Sequence, residues 1–406
     1  MSPTQLELWN EMRPARDSQA SSLAVVGLFA GIGGIELGLQ RAGHRSLLHC
    51  EIDSAAQRVL EHRFSDVKLY DDVRKLASLP SGTDLVAAGF PCQDLSQAGR
   101  TRGINGQNSG LVDNVFRLLR STRCRPKWLL IENVPFMLQL DCGKAMTHLA
   151  RSLEELGFSW AYRVVDARCF GLPQRRRRVI LLASADADPR EVLFAADSGE
   201  PQSEKIDAEA YGFYWTEGNR GLGWAVDAVP TLKGGSTIGI PSPPAIWLVR
   251  ENRIVTPDIR DAERLQGFPA DWTRAAVVEG GRVGARWKLV GNAVCVPVAR
   301  WVGHQLCNPK AYDSSADTEI SVKGAWPHAA WGREGKVFEA SVSEWPVHER
   351  QKSLVDFLKY PVKPLSERAA TGFLSRARAS SLRFRDGFLD AVASHIEALR
   401  NGSRTA

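Results

Sequence analysis

Short apolar, β-branched runs alternate with amphipathic stretches from Leu23 to Ser184, and this alternation restricts the possible folds more than any other property of the chain. The runs are LAVVGLF, SLLHCEI, DLVAAGF, WLLIENV, AYRVVDA and RVILLAS. Between them, IELGLQRAG, SAAQRVLEHRF, LVDNVFRLLRS and AMTHLARSLEELG space their apolar residues three and four apart, the repeat of one helix face. Strands joined through helices lie parallel, so the pattern predicts an α/β fold built on a doubly wound, mostly parallel sheet. From Ala185 to Thr256 the pattern dissolves into Gly, Pro, Trp and Tyr, as in YGFYWTEGNRGLGW and PTLKGGSTIGIPSPP. That composition predicts a smaller irregular domain, with a long linker as the competing reading. Helical patterning returns in PDIRDAERLQGF and GNAVCVPVARWVGHQL, and a mixed tail beyond Asn308 closes with the helical stretch SSLRFRDGFLDAVASHIEAL.

A chain of 406 residues exceeds one typical domain, so two domains are expected. No apolar stretch approaches the roughly 18 residues of a membrane helix, and MSPTQLELWNEMRPARDSQASS lacks the apolar centre of a signal peptide. The expected location is the cytoplasm, with no membrane partner. Seven scattered cysteines without a C-x-x-C pair give neither a disulfide framework nor a closed zinc site, and no metal is expected. A net charge of +6 is compatible with a nucleic-acid partner but does not establish one.

The first strand runs into LFAGIGGIELG, a glycine-rich turn opening a helix, which lets a cofactor approach the backbone closely. The dinucleotide fingerprint G-x-G-x-x-G fails here: after Gly31 and Gly33 it requires glycine where Glu36 stands. The second strand ends in CEID, placing Glu51 and Asp53 where carboxylates accept hydrogen bonds from ribose hydroxyls, and YDDV at 70–73 adds a third acidic position. Carboxylates at successive strand ends suit a nucleoside without phosphates, because a pyrophosphate would be repelled. S-adenosylmethionine meets that description. Cys92 follows a proline where an apolar run stops, in AAGFPCQDLSQAGR, and the residues alone leave open a buried thiol or a nucleophile. In QRRRR, alternation along a strand puts Arg176 and Arg178 on one face and Arg175 and Arg177 on the other. Such a run equally describes a solvated or phosphate-binding patch.

FAGIGG, GFPCQ, IENV, QRRRR, RLQGFP and GNAV, in that order over about Leu23 to Cys307, resemble the ordered motifs of the DNA cytosine-5 methyltransferases of the bacterial modification type. The resemblance implies a catalytic, S-adenosylmethionine-binding domain at 23–184, a target-recognition domain at 185–256, and motifs at 257–307 that return to the first domain. Residues 1–22 are then a flexible N-terminus and 308–406 an extension whose role the sequence does not disclose.

Cytosine C5 is a poor nucleophile, and a thiolate added at C6 turns the ring into an enamine-like species that attacks an activated methyl group. The resemblance gives that thiolate to Cys92, with Glu132 protonating or hydrogen-bonding N3, Arg178 beside O2, and Arg176 as a positioning residue. No histidine in the motif serves as a base. For the cofactor the resemblance implies Phe29, Gly31, Ile32 and Gly34 at the methionine-side turn, Glu51 and Ile52 at ribose and adenine, and Asp72 at the adenine amino group. Gly89 and Pro91 join them, and Asn292 and Val294 close the methionine pocket. Two positions depart from the pattern: Ile52 stands where some relatives stack an aromatic ring, and Ala98 lacks the hydroxyl that some carry.

The target base must be flipped out of double-stranded DNA, methyltransferases being a known case of this behaviour. Ser96, Arg100 and Gln174 are expected at the DNA, and in the insert Arg220 is suited to guanine, Asn219 to adenine and Lys233 to phosphate. The implied role is the protective half of a restriction system, working as a monomer on the site of an endonuclease with which it forms no stable complex. A transfer-RNA methyltransferase of the related family would need an insert not recognised here. A catalytically dead DNA-binding regulator is opposed by the presence of Cys92, Glu132 and Arg178.

Overall fold

The computed structural model describes residues 22–90, 110–121, 125–201, 208–234, 241–278 and 284–404. Its first strands are β1 (Ala24–Leu28), β2 (Arg45–Cys50), β3 (Lys68–Tyr70), β4 (Leu85–Ala88), β5 (Trp128–Asn133), β6 (Ser159–Asp166), β7 (Gln174–Arg175) and β8 (Arg177–Ser184). Those of the insert are β9 (Ala210–Phe213), β10 (Ala225–Val226), β11 (Val229–Pro230), β12 (Ala245–Leu248) and β13 (Arg253–Thr256). The C-terminal extension adds β14 (Thr318–Glu319), β15 (Ala329–Arg333), β16 (Lys336–Glu339) and β17 (Lys363–Pro364).

The large sheet runs β14-β16-β15-β6-β8-β5-β4-β1-β2-β3. The half from β5 to the β3 edge is parallel. This half carries the βαβ alternation read from the sequence. The rest is antiparallel, because β8 returns beside both β5 and β6, and the hairpin of β15 and β16 then adds to the free edge of β6.

Helices cover both faces: α1 (Gly34–Arg41), α2 (Ser54–Arg63), α3 (Leu111–Ser121), α4 (Lys144–Glu155), α5 (Ile259–Leu265), α6 (Gly284–Asn292) and α7 (Val296–Cys307). Side chains of a strand alternate between faces, so Val25, Leu85, Ala87 and Leu130 meet residues of α1, α2 and α7. Val26, Leu28, Val86, Ala88, Leu129 and Ile131 meet α3 and α4 on the other. On α3, Val112, Val115, Phe116 and Leu119 recur at three- and four-residue steps and are buried, which contributes roughly 1.5–3 kcal/mol each. Helix α1 packs closely on α7 because glycines line the contact. A Cβ on Gly38 would stand 2.6 Å from the Val296 carbonyl oxygen, and one on Gly303 2.6 Å from the Ala42 Cβ.

A second sheet, β10-β9-β12-β13-β17, takes four strands from the insert and one from the extension. Two further helices of the extension, α8 (Glu367–Arg378) and α9 (Phe388–Arg404), pack on it. Phe388 lies at its centre, with ring centroids 5.0 Å from both Phe213 and Trp224. Residues of the extension up to 404 are therefore built into both sheets. Among the described residues no helix is long and apolar enough to cross a membrane.

Candidate active site

In the parallel half, β2 and β4 flank β1, so the winding reverses between β1 and β4, and a crevice opens at the carboxyl ends of these strands. The turn after β1 is shaped by its backbone. Phe29 sits at φ 56 and Gly31 at φ 57, in the left-handed region that a non-glycine residue enters only when its surroundings hold it there. The Phe29 ring packs edge-on against Phe90, with centroids 6.1 Å apart. Nothing lies within 4 Å of the point where a Cβ on Gly31 would stand, so the turn presents bare backbone to the crevice. Helix α1 opens at Gly33 without a side-chain cap, which leaves its first amides available.

The end of β2 is fastened to this turn by one carboxylate. Glu51 accepts from the Gly31 amide at 2.7 Å through one oxygen and from the Asp53 amide at 2.8 Å through the other. Each oxygen keeps lone-pair capacity for a hydroxyl donor. Ile52 beside it is 65% exposed, an apolar side chain offered to solvent next to that carboxylate. Asp53 caps α2 through the Ala55 and Ala56 amides and pairs with Lys288 at 2.8 Å. Burial pushes its carboxyl up, but Lys288 and the two amides together hold it below the usual range. Asp72 is engaged on both oxygens by Arg74, which holds its carboxyl low. This acidic, partly apolar end suits a cationic nucleoside cofactor and disfavours a phosphate.

On the other side of the crevice, Glu132 at the end of β5 lies with its Oε1 3.0 Å from Arg178 Nε. The N–H is not aligned on that oxygen, so the pair is ionic and the buried Oε1 has no hydrogen bond among the described residues. Glu132 Oε2, the Val294 side chain and the Phe29 carbonyl converge on Gly89, each 3.8–3.9 Å from where its Cβ would be. Gly89 is three positions before Cys92. Asn133, which sequence reasoning passed over within IENV, donates from Nδ2 to the Phe90 carbonyl at 3.1 Å and ties β5 to the chain leaving β4.

Several expected site residues face elsewhere. The Ile32 side chain is buried in the core and its carbonyl accepts from Trp272 Nε1 at 2.8 Å, so its side chain faces away from the crevice. At Gly34 a Cβ would collide with the Val294 carbonyl oxygen, so glycine lets the GNAV segment approach the start of α1. Gln174, expected at DNA, is fully buried, donating to the Leu265 carbonyl at 2.7 Å and accepting from the Leu232 amide at 3.1 Å. Arg176 is also buried, and its guanidinium donates to the carbonyls of Leu232, Gly291 and Ala293. Burial, with Arg178 nearby, lowers its pKa to about 10. It clamps the insert and the GNAV segment to β8 and does not reach the crevice. Asn292 is exposed and lies against Gly234 of the insert. Lys233 is paired with Glu217 and stands 3.6 Å from the centroid of the Tyr214 ring, so its charge is already matched. Asn219 and Arg220 are exposed. Pro91, Cys92, Ser96, Ala98 and Arg100 lie outside the described residues.

Burial makes the core thiols poor nucleophiles. It pushes Cys50 up to about 12 and Cys295 to about 11, and raises Cys169 as well. Cys295 donates to Gln266 Oε1, which joins it to the Gln174 network.

The C-5 cytosine-specific DNA methylase family model matches residues 23–212. The chain is 52% identical over 380 residues to the type II methyltransferase M2.BsuMI of Bacillus subtilis (strain 168), covering 91% of this chain and 97% of that protein. It is 26% identical over 319 residues to the type II methyltransferase M.DsaV of Dactylococcopsis salina, covering 71% and 87%. The S. pombe Dnmt2 methyltransferase structure superposes with a TM-score of 0.53 at 17% identity, over 70% of this chain and 98% of that one, a likeness of fold. These matches give the class, a methyltransferase on an α/β fold whose switch-point crevice is edged by carboxylates and by a Glu–Arg pair. The chain belongs to the C-5 cytosine-specific DNA methylases and is a DNA cytosine-5 methyltransferase.

Proposed function

We propose that the protein methylates C5 of one cytosine within a specific double-stranded DNA sequence through a covalent bond between Cys92 and C6. The observation that carries this reading is the Glu132–Arg178 pair, 3.0 Å apart beside Gly89, at the point where the chain turns toward Cys92. S-adenosylmethionine supplies an electrophilic methyl group. The residues present fit it: the Gly31 turn takes the methionine end, Glu51 the ribose hydroxyls and Ile52 the adenine face, with Val294 forming the wall toward the base.

The Cys92 thiolate adds to C6 of the flipped base. Negative charge then develops on the ring. Glu132 offers a proton to N3, and Arg178 holds O2 while keeping Glu132 in place. Once C5 carries the methyl group, loss of the C5 proton lets the C6–S bond break, which frees the Cys92 thiolate and restores aromaticity. Residues 185–256 read the sequence, with Asn219 and Arg220 exposed on the 214–223 loop. The type II designation of the Bacillus subtilis relative supports a protective role beside an endonuclease of the same site, and we assign the enzyme to the cytoplasm as a monomer.

Duplex DNA carrying 5-fluorocytosine at the target tests this, because fluorine at C5 cannot leave as a proton. A complex that survives denaturing electrophoresis, requires S-adenosylmethionine and maps to a peptide containing Cys92 is expected, and none with Cys92→Ala. An adduct on another of the seven cysteines, or normal release, overturns the assignment.

A further inference from the structure

We propose that the recognition module has two halves distant in sequence, and that Arg376 in the C-terminal extension is a positioning residue for the loop that reads DNA. The inference rests on the reading above that residues 214–223 reach the bases.

The loop leaves β9 at Tyr214 and closes on itself, with the Tyr214 amide donating to the Leu222 carbonyl at 2.7 Å and the Gly218 amide to the Gly221 carbonyl at 2.9 Å. These bonds shape the loop but do not aim it. The extension holds the loop's backbone through α8. Arg376 donates from Nη2 to the Trp215 carbonyl at 2.7 Å and from Nε to the Glu217 carbonyl at 3.1 Å. One planar guanidinium thus spans two carbonyls of the same turn, which fixes orientation as well as distance. Gly218, at φ 122, lies flat on α8, and a Cβ there would sit 3.4 Å from the Phe373 ring and 3.6 Å from the Ala377 amide nitrogen. Asn219 and Arg220 follow immediately and are exposed, so the part of the loop held by α8 adjoins the part free to touch a ligand.

The extension also supplies the floor. Phe373 and Phe388 stack into the same aromatic cluster as Phe213, at 5.0 Å each, and β17 pairs with β13. Trp215 Nε1 also donates to the Pro243 carbonyl at 2.9 Å and Lys233 pairs with Glu217, but these hold side chains, whereas Arg376 grips the backbone of the turn itself. Base readout by hydrogen bonds demands placement within about half an ångström, which that grip serves.

The test is the distribution of methylated cytosines over a randomised duplex library, measured for wild type, Arg376→Ala, Arg376→Lys, Gly218→Ala, Asn219→Ala and Arg220→Ala, with KM and kcat on the preferred site. Arg376→Ala is expected to cut discrimination between preferred and next-best sites by about tenfold and to raise KM, with kcat at saturating DNA nearly unchanged. Arg376→Lys, which keeps the charge but not the planar fork, is expected to recover only part. An unchanged distribution in a folded Arg376→Ala enzyme, while Arg220→Ala or Asn219→Ala alters it, overturns the inference and leaves the loop reading standing. If neither loop variant alters the distribution, the loop reading falls and this inference with it. If Arg376→Ala does not fold, Gly218→Ala decides by the same criterion, since a side chain at φ 122 strains the same turn from the loop side.

Discussion

Glu36 shows how far one side chain can be displaced from its ordinary behaviour. It lies in the first turn of α1, wholly buried, with its carboxyl over Gly27 of β1 and no hydrogen bond to a neighbouring residue among those described. Burial raises its pKa to about 8, and Glu51 nearby adds to the rise. The folded state therefore keeps a proton that the unfolded chain releases above its ordinary 4.5. Stability from this group is complete below that value and is lost as pH climbs toward 8. Glu36→Gln is permanently neutral. Urea unfolding at pH 5.5 and pH 8 is expected to show wild type losing roughly 3 kcal/mol more than the variant over that interval. A difference that does not change with pH would mean that Glu36 is ionised within the fold.

Pairs of elements, rather than single residues, set the width of the crevice. The Gly31 turn and the Val294 wall belong to segments far apart in sequence, and they meet because α1 and α7 approach through Gly34, Gly38 and Gly303. A Cβ on Gly38 would stand 2.5 Å from the Ala299 Cβ, and backbone on both sides of that contact is unable to move alone. Gly38→Val is expected to cost about 2–3 kcal/mol in urea unfolding and to weaken S-adenosylmethionine binding in calorimetry at least tenfold. Full cofactor affinity in a destabilised variant would separate the packing of these helices from the shape of the turn.

The whole molecule depends on its C-terminal quarter in both layers. At one end β15 covers the edge of β6, and Arg163, fully buried, binds the carbonyls of Leu193 at 2.8 Å and Ala196 at 2.7 Å, Asp197 at 2.9 Å and the Ser343 carbonyl. At the other end Phe373, Phe388 and Val392 cover Tyr211, Phe213 and Trp247. Removing residues 309–406 would expose an open strand edge and an aromatic face together, the two features that drive aggregation. The truncated chain is expected to be insoluble, or to lack a cooperative thermal transition by circular dichroism. A soluble truncated chain that still bound S-adenosylmethionine would show that the large domain stands without its last strands.

The βαβ alternation, the order of the motifs and the carboxylates at successive strand ends are all local patterns, and they specified the parallel half of the sheet and the position of Glu51, Asp53 and Asp72 after its strands. Periodicity reports which positions of an element are buried, not what buries them. Membership of a motif brought Ile32, Gln174 and Arg176 near the site but did not tell that they face the core or the backbone, because facing is decided by the segments that pack against them, Trp272, Leu232 and Gly291 among these. Asn133 was missed for the same reason: its partner is a carbonyl 43 residues away. The extension carries no motif, and its contacts with the insert are made across about 160 residues of sequence. Hydrophobic and hydrogen-bonding partners so distant are chosen only when the chain has folded, since the free energy of burial depends on which surfaces meet and not on where they lie along the chain.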